Sequence, residues 1–260
     1  MKNYNRKVRA FSTKNITRFK LALILQKRII MNLEGAKMFE KKINILFGEY
    51  GTGKTELAIN LAKNFESKGK LVYFLDLDPA KPHFRARDFL KKEKIKILAI
   101  GENFYGLDIP LISKEMLQAI IEPNVYVVID LGGNDWFRVI GQFKPLLNPE
   151  EVGLYLVINY YRPVFEISPL KKFAKKMETL LGIKLSNILN NSHLLETTKK
   201  SDVINALPKV LDIAKQIGVP VINVLSEETF ANLSEKEKEI FKPYWLIKRF
   251  CSYSFKRKIS

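Results

Sequence analysis

The chain has 260 residues, of which 47% are hydrophobic and 27% are charged, a balance typical of a globular protein. It contains no run of about 18 apolar residues, which argues against a membrane-spanning helix, and its single cysteine, Cys251, excludes a disulfide framework or a thiolate metal site built from this chain alone and favours a cytoplasmic location. Most of the formal charge of +17 lies in the ends, +9 in residues 1–37 and +6 in residues 242–260, so the body is nearly neutral and specific nucleic-acid binding is not expected.

Residues 1–37 form a basic N-terminal extension. Residues 33–38 can be encoded by codons that contain GGAGG shortly upstream of an ATG, the form of a bacterial ribosome-binding site. We therefore hypothesise that translation starts at Met38 and that the extension is not translated. The alternative is a loose helical or disordered arm, and the intact mass of the native protein distinguishes the two.

Strand-like and helix-like stretches alternate from about Lys41 onward. The predicted strands are residues 43–47, 71–75, 95–100, 125–129, 154–158, 185–189 and 219–224. The predicted helices are residues 55–67, 114–121, 135–146, 168–181 and 202–217. Continuous apolar strands separated by helices indicate an α/β fold with a mostly parallel sheet covered by helices on both faces. We assign this single domain to residues 38–240.

Residues 241–260 form a basic, aromatic C-terminal tail. On a helix that begins at Tyr244, Lys248 and Arg249 would share one side, with Phe250 and Phe255 on the other. Such a helix could make a peripheral membrane contact, because aromatic anchors beside cations suit a lipid interface. The favoured alternative is a last helix that packs on the body and has a frayed basic end.

The segment from Gly48 to Thr55 fits the phosphate-loop pattern G-x-x-x-x-G-K-[ST] and lies between a predicted strand and a predicted helix. Its glycines allow backbone N–H groups to face an anion, and the following helix adds its positive N-terminal end. Lys54 would reach the β- and γ-phosphates of a nucleoside triphosphate, and the Thr55 hydroxyl would be a ligand of Mg²⁺. The nucleotide-binding residues predicted here are Gly48, Glu49, Tyr50, Gly51, Thr52, Gly53, Lys54, Thr55 and Glu56.

Two acidic residues fall at strand ends, where the γ-phosphate of such a ligand should lie. Asp130 fits the role of an acid that holds Mg²⁺ through water, and Asp78 fits a group that orients or polarises the attacking water. We predict that Lys54, Asp78 and Asp130 are catalytic and that Asp78 and Asp130 join Thr55 as metal ligands. Gly133 would bring a backbone amide close to the γ-phosphate. The alternative for both acids is helix capping or turn formation.

These motifs resemble the MinD/ParA-type branch of P-loop NTPases, the SIMIBI class, over roughly residues 41–225. Three segments carry the resemblance: the loop with the helix that follows it to Ala62, the strand end 75–79 and the strand end 129–133. More narrowly, the chain is similar to an uncharacterised MinD-like ATP-binding family of anaerobic bacteria. The matching pieces are residues 48–56, 82–88, 132–135, 159–163 and 190–194.

The resemblance implies that ATP and Mg²⁺ bind, that hydrolysis is slow, and that the chain forms a nucleotide-dependent homodimer. The sequence departs from the family pattern at Glu49, because proteins of the MinD/ParA type usually carry a signature lysine at that position. A glutamate would repel phosphate instead of neutralising it. Glu49 therefore argues against lysine-mediated dimerisation and predicts very slow hydrolysis.

The base contact of the family usually includes an asparagine after a late strand. Asn190 and Asn191 follow the predicted strand 185–189, so one of them would read adenine, with a simple turn as an equal alternative. A guanine-reading [NT]-K-x-D motif is missing from the sequence, which favours ATP over GTP.

The leading functional hypothesis is an ATP-driven molecular switch that acts on an unknown protein partner. The alternative is a small-molecule kinase or ATP-dependent ligase on the same fold, with an acceptor pocket near Asp78 that uses Arg85 and Arg87. Like Arg85 and Arg87, Arg138 and Arg162 could sense phosphate or a partner, and the favoured alternative for each is a surface or salt-bridged residue.

Overall fold

The computed structural model describes residues 38–78, 90, 95–100, 112–132, 136–162 and 167–250, and every structural statement below concerns these residues. Their strands are β1 (Ile43–Phe47), β2 (Leu71–Leu77), β3 (Ile95–Ala99), β4 (Val125–Leu131), β5 (Val152–Ile158), β6 (Asn187–Asn190), β7 (Val221–Ser226) and β8 (Tyr244–Ile247). All eight pair in parallel in one sheet of order β3-β2-β4-β1-β5-β6-β7-β8.

Seven helices accompany the strands in the described ranges. They are α1 (Lys54–Ser67), α2 (Lys114–Ile121), α3 (Trp136–Gly141), α4 (Ile167–Leu181), α5 (Lys200–Ile217), α6 (Glu227–Ala231) and α7 (Glu235–Ile240). The predicted helix over residues 135–146 is thus shorter, because the chain leaves α3 after Gly141 and forms a 3₁₀ turn at Lys144–Leu146. Within the described ranges, none of the helices combines the length and apolar character needed to cross a bilayer.

The sheet has a hydrophobic layer on each face. Along β1, Ile43, Ile45 and Phe47 belong to one buried cluster, whereas Leu46 points into the other. The first cluster is covered by α2, α3, α4 and α5, and the second is covered by α1. Burial on both faces explains why these strands are continuously apolar, and it confirms the predicted α/β fold with a parallel sheet between helical layers.

The helix expected from Tyr244 is wrong, because residues Tyr244–Ile247 form the edge strand β8. Trp245 and Ile247 are buried on the α1 face of the sheet, while Leu246 is 37% exposed. This alternation has the period of a strand, and aromatic and β-branched residues suit a pleated, half-buried surface. The start of the predicted tail therefore belongs to the sheet, while residues 251–260 lie outside the described ranges.

The predicted site residues within the described ranges lie near the carboxyl edge of this sheet. In a parallel sheet all strands end at the same edge, where ligands of α/β folds bind. The loop from Gly48 to Gly53 leaves β1 there, and the ends of β2 and β4 lie on one side of it. The ends of β5 and β6 lie on its other side.

Candidate functional site

The predicted phosphate loop joins β1 to α1 and curls around its own lysine. Lys54 is 7% exposed, and its ammonium donates a hydrogen bond to the Glu49 carbonyl at 3.0 Å. The Thr52 hydroxyl donates to the same carbonyl at 2.9 Å. The side chain of Tyr50, in contrast, is 85% exposed. The backbone and the lysine, rather than the Tyr50 ring, therefore form the interior of the loop.

Two side chains from neighbouring strand ends hold the outer side of the loop. The Asn191 amide nitrogen donates to the Thr52 carbonyl at 2.8 Å, and Arg162 Nε donates to the Gly51 carbonyl at 2.7 Å. Fixing these two carbonyls on the outside favours the conformation in which the neighbouring N–H groups face inward. The loop is thus braced in a form suited to an anion.

Oxygen atoms converge on the β4 side of the loop. The Thr55 hydroxyl donates to Asp130 Oδ2 at 2.6 Å, and Asp130 is fully buried within β4. Asp76 is the neighbour of Asp130 in the β2–β4 register, and its Oδ1 accepts the Asp78 N–H at 3.2 Å. A hydroxyl and carboxylates are the ligand type of Mg²⁺, which is usually bound by one or two carboxylates together with phosphates. The residues present therefore fit this metal.

The described ranges contain no metal site that is built from protein groups alone. Within the described ranges, no three His, Cys, Asp or Glu residues cluster in a way that could hold a metal ion. Thr55 and Asp130 would therefore share the ion with the phosphates of a ligand.

Asp78 lies directly against Gly132, the residue that follows β4. A Cβ atom added at Gly132 would overlap the Asp78 carboxyl group and its Cβ. The ends of β2 and β4 are therefore packed so closely that residue 132 has no space for a side chain. Gly133, predicted to bring an amide to the γ-phosphate, lies outside the described residues, as do Arg85 and Arg87.

The two asparagines predicted to read the base have different surroundings. Asn190 is buried at the end of β6, where its amide donates to Asn223 Oδ1 at 2.9 Å and its oxygen accepts from the Ser192 hydroxyl at 2.7 Å. Asn191 is 1% exposed and braces the loop at Thr52. The position of Asn191, in contact with the loop, suits a nucleotide contact better than that of Asn190. Adenine reading by either residue stays a prediction.

His193 also lies beside the loop. Its Nδ1 accepts the Leu195 N–H at 3.0 Å, so the neutral ring carries its proton on Nε2. Nε2 lies 3.7 Å from the position that a Cβ would take at Gly53. Burial, together with the positive charges of Arg249 and Arg162, lowers the pKa of His193 to about 4. The ring is therefore a neutral donor at physiological pH.

We expect His193 to make the stability of the protein pH-dependent. Its pKa is about 4 when folded, against an ordinary value of 6.5, so below pH 6.5 the unfolded chain binds the additional proton. The free energy of unfolding should fall as the pH falls from 6.5 to 4, by on the order of 2–3 kcal/mol at the lower end. Urea unfolding of wild type and His193→Asn at pH 7.5 and 4.5 measures this. The variant should lose distinctly less stability than wild type, and equal losses would contradict the assignment.

Gly53 combines a left-handed backbone with a close neighbour. Its φ is +88°, and a Cβ there would overlap the amide nitrogen of Asn191. Gly69 has a similar φ of +74° but nothing within 4 Å of an added Cβ. We expect Gly69→Ala to cost about 1 kcal/mol of unfolding free energy, because only the backbone is strained. Gly53→Ala should cost about 1–3 kcal/mol more, because it also displaces the Asn191 brace. Urea unfolding of both variants tests this, and equal costs would show that the brace tolerates displacement.

Two contacts of the loop and its helix could not be predicted from the sequence. Arg162 is exposed, as the surface interpretation expects, and it also binds the Gly51 carbonyl, a contact that was not predicted. The only sequence signal for it was its place in the segment 159–163. Glu56, predicted to bind nucleotide, has a carboxylate oxygen that accepts the Phe250 N–H at 2.7 Å. No local pattern could indicate that contact, because the two residues are 194 positions apart.

Residues 45–241 match the family model described as the CobQ/CobB/MinD/ParA nucleotide binding domain. No curated protein matches the sequence. Among solved structures, FtsY of Mycoplasma mycoides is similar, with 16% identity, a TM-score of 0.48 and coverage of 71% of this chain and 59% of that one. The cell division protein FtsY of Thermotoga maritima has 18% identity, a TM-score of 0.46 and coverage of 76% and 67%.

The signal recognition particle 54 kDa protein of Aeropyrum pernix K1, solved in complex with GDP, is also similar. It has 15% identity and a TM-score of 0.49, with coverage of 78% of this chain and 45% of that one. The chain thus spans 45–67% of the length of these three proteins.

Proposed function

Because the chain belongs to the CobQ/CobB/MinD/ParA nucleotide-binding domain family, we propose that it is a slow, Mg²⁺-dependent ATPase of MinD/ParA type that acts as a molecular switch. The observation that supports this best is the 2.6 Å hydrogen bond from the Thr55 hydroxyl to the buried Asp130. It joins the phosphate loop to the acid of β4, the arrangement by which P-loop NTPases hold the metal ion of a nucleotide.

Each residue of the site has a separate task in this proposal. The loop amides and the Lys54 ammonium bind the phosphates, and Lys54 would exchange its bond to the Glu49 carbonyl for phosphate oxygens. Thr55 and Asp130 would hold Mg²⁺, which supplies charge neutralisation at the β- and γ-phosphates when bound. Asp78, which lies against Gly132, would orient the attacking water.

We favour ATP over GTP on the residues that follow β6. A guanine-reading N-K-x-D motif has its aspartate three positions after the asparagine. Three positions after Asn191 the chain has Leu194, which offers no carboxylate to a guanine base. Asn191 remains the proposed contact to the base, because it already lies against the loop.

The proposed switch has a slow hydrolysis step because of Glu49. A glutamate in the loop adds negative charge where a cation would stabilise the transition state. Dimerisation through a signature lysine is not part of the proposal for the same reason. The ATP-bound and ADP-bound states would instead differ in the chain around Asp78 and Asp130 and be distinguished by a protein partner.

The test is calorimetry with ATP, ADP and GTP, with and without Mg²⁺, together with phosphate release measured under single-turnover conditions. The proposal expects ATP to bind about tenfold or more tightly than GTP and phosphate release to require Mg²⁺. Equal affinity for GTP would overturn the ATP assignment. Absence of triphosphate binding would overturn the whole proposal.

Gly132→Ala tests the role of Asp78. The added methyl group would overlap the Asp78 carboxyl group and displace it from the end of β2. We expect the single-turnover rate of hydrolysis to fall about tenfold or more, with ATP affinity changed less than about threefold. Gly141→Ala is the control, since an added Cβ there makes only an ordinary contact, 3.5 Å from Leu180 Cδ1. An unchanged rate in Gly132→Ala would remove Asp78 from the proposed mechanism.

A further inference from the structure

The last described residues of the chain, Lys248–Phe250, lie along helix α1, and we call them the docked segment. The side-chain amide of Asn60 donates to the Lys248 carbonyl and accepts the Lys248 N–H, each at 2.9 Å. One turn earlier, Glu56 Oε1 accepts the Phe250 N–H at 2.7 Å. Two consecutive turns of the helix that starts at the phosphate loop thus hold the backbone of the docked segment.

A third turn of α1 adds a contact to the same segment. The Lys63 ammonium lies 4.8 Å from the centroid of the Phe250 ring, within the range of a cation–π interaction. Glu56, Asn60 and Lys63 are spaced i, i+4 and i+7, so they share one face of the helix. This face of the helix begins at Glu56, the residue that follows Thr55.

From the docked segment, Arg249 extends back towards the β6 side of the loop. Its Nη2 lies 3.4 Å from the Thr198 hydroxyl, and its charge acts on His193. His193 Nε2 in turn lies 3.7 Å from the Cβ position of Gly53. Arg249 therefore contacts the chain that follows β6, close to His193, although it is 196 positions later in the sequence than Gly53.

We propose that the docked segment is a wall of the nucleotide site, that Arg249 supplies positive charge to the bound triphosphate, and that nucleotide binding and docking of the C-terminal segment stabilise each other. This inference rests on the proposed function. It assigns a binding role to a part of the chain that follows β8.

The coupling has two electrostatic causes, the positive charge of Arg249 and the negative charge of Glu56. Docking holds the Arg249 guanidinium at the Thr198 hydroxyl, which also accepts the N–H of Leu194, the neighbour of His193. The attraction of this cation to a bound polyphosphate would favour binding. Docking also holds the Glu56 carboxylate on the Phe250 N–H. Undocking would remove a cation and release an anion beside the phosphates. Because coupling between two binding equilibria is reciprocal, bound nucleotide must then favour docking.

Calorimetry with ATP and Mg²⁺ on the full chain tests the role of the docked segment. Asn60→Ala removes both hydrogen bonds to Lys248, and Arg249→Ala removes the cation. We expect each to weaken ATP binding about tenfold. The controls are Asn64→Ala, an exposed asparagine one turn later on α1, and Lys236→Ala, an exposed cation on α7. They should change the affinity less than about twofold.

The outcomes separate the two proposals. If wild type binds ATP and Lys54→Ala does not, while Asn60→Ala and Arg249→Ala both bind as wild type, the docked segment has no role and the proposed function stands. If wild type itself does not bind ATP, the proposed function falls and this inference falls with it.

Limited trypsin digestion tests the reciprocal effect, since trypsin cleaves after Lys248 and Arg249. We expect ATP with Mg²⁺ to slow cleavage at these two bonds about fivefold or more, as read by mass spectrometry of the C-terminal fragments. Lys54→Ala should show no such protection. Equal cleavage of wild type with and without nucleotide would overturn the coupling.

Discussion

Replacing Lys54 by alanine should lower the affinity for ATP at least about 100-fold, which corresponds to about 2.7 kcal/mol of binding free energy. The Lys54 ammonium is the charged donor at the centre of the loop and is held by the Glu49 carbonyl at 3.0 Å, so it is already placed for a phosphate. In the free protein its loss removes this hydrogen bond, but the Glu49 carbonyl keeps the one from the Thr52 hydroxyl. We therefore expect the free energy of unfolding to change by less than about 1.5 kcal/mol.

Calorimetry measures the binding, and urea unfolding shows that the variant is folded. Lys68→Ala is the matched control, because Lys68 is an exposed lysine at the far end of the same helix. A Lys54→Ala variant that is folded and binds ATP as well as wild type would show that the loop does not bind phosphates in the way proposed.

Replacing Asp130 by asparagine should abolish the effect of Mg²⁺ on this protein. Asparagine has nearly the shape of aspartate and keeps an oxygen for the Thr55 hydroxyl, but it removes the buried charge that would hold the metal ion. We expect the single-turnover rate of ATP hydrolysis to fall about 100-fold or more. The affinity for ATP should become nearly the same with Mg²⁺ and with EDTA.

A control substitution at a surface aspartate shows whether the effect belongs to Asp130 or to the loss of any negative charge. Asp212→Asn changes the same charge on α5, where the exposed carboxylate accepts from Gln216 at 3.2 Å, and should leave both quantities unchanged. If Asp130→Asn keeps the dependence of wild type on Mg²⁺, Asp130 is a structural acid and another group holds the metal.

Much of the fold follows from local patterns in the sequence. Strand β1 and helix α2 have the predicted bounds, because each is a short periodic stretch with a clear boundary on both sides. Strands β2 and β4 continue two residues beyond their apolar runs, so Asp76 and Asp130 lie within strands rather than after them. Pairing with a neighbouring strand, rather than hydropathy, decides where these strands end.

The parts that could not be predicted depend on contacts between distant residues. In Tyr244–Ile247 four residues cannot distinguish a helical from a strand period, and pairing with β7 decides in favour of the strand. The braces at Thr52 and Gly51 come from residues 139 and 111 positions away. For the candidate site, the sequence could therefore indicate the loop, its lysine and its acids. It could not indicate the side chains that hold the loop in shape.

The packing of Trp245 gives the protein an internal optical probe. The indole is 9% exposed and packs against the Phe39 ring, with 4.7 Å between the ring centroids. It lies in β8, three residues before Lys248. An apolar surrounding gives tryptophan emission at short wavelength, and release of β8 into water would shift it to longer wavelength. With Trp136 replaced by phenylalanine, the emission would follow the attachment of the C-terminal strand to the sheet without any added label.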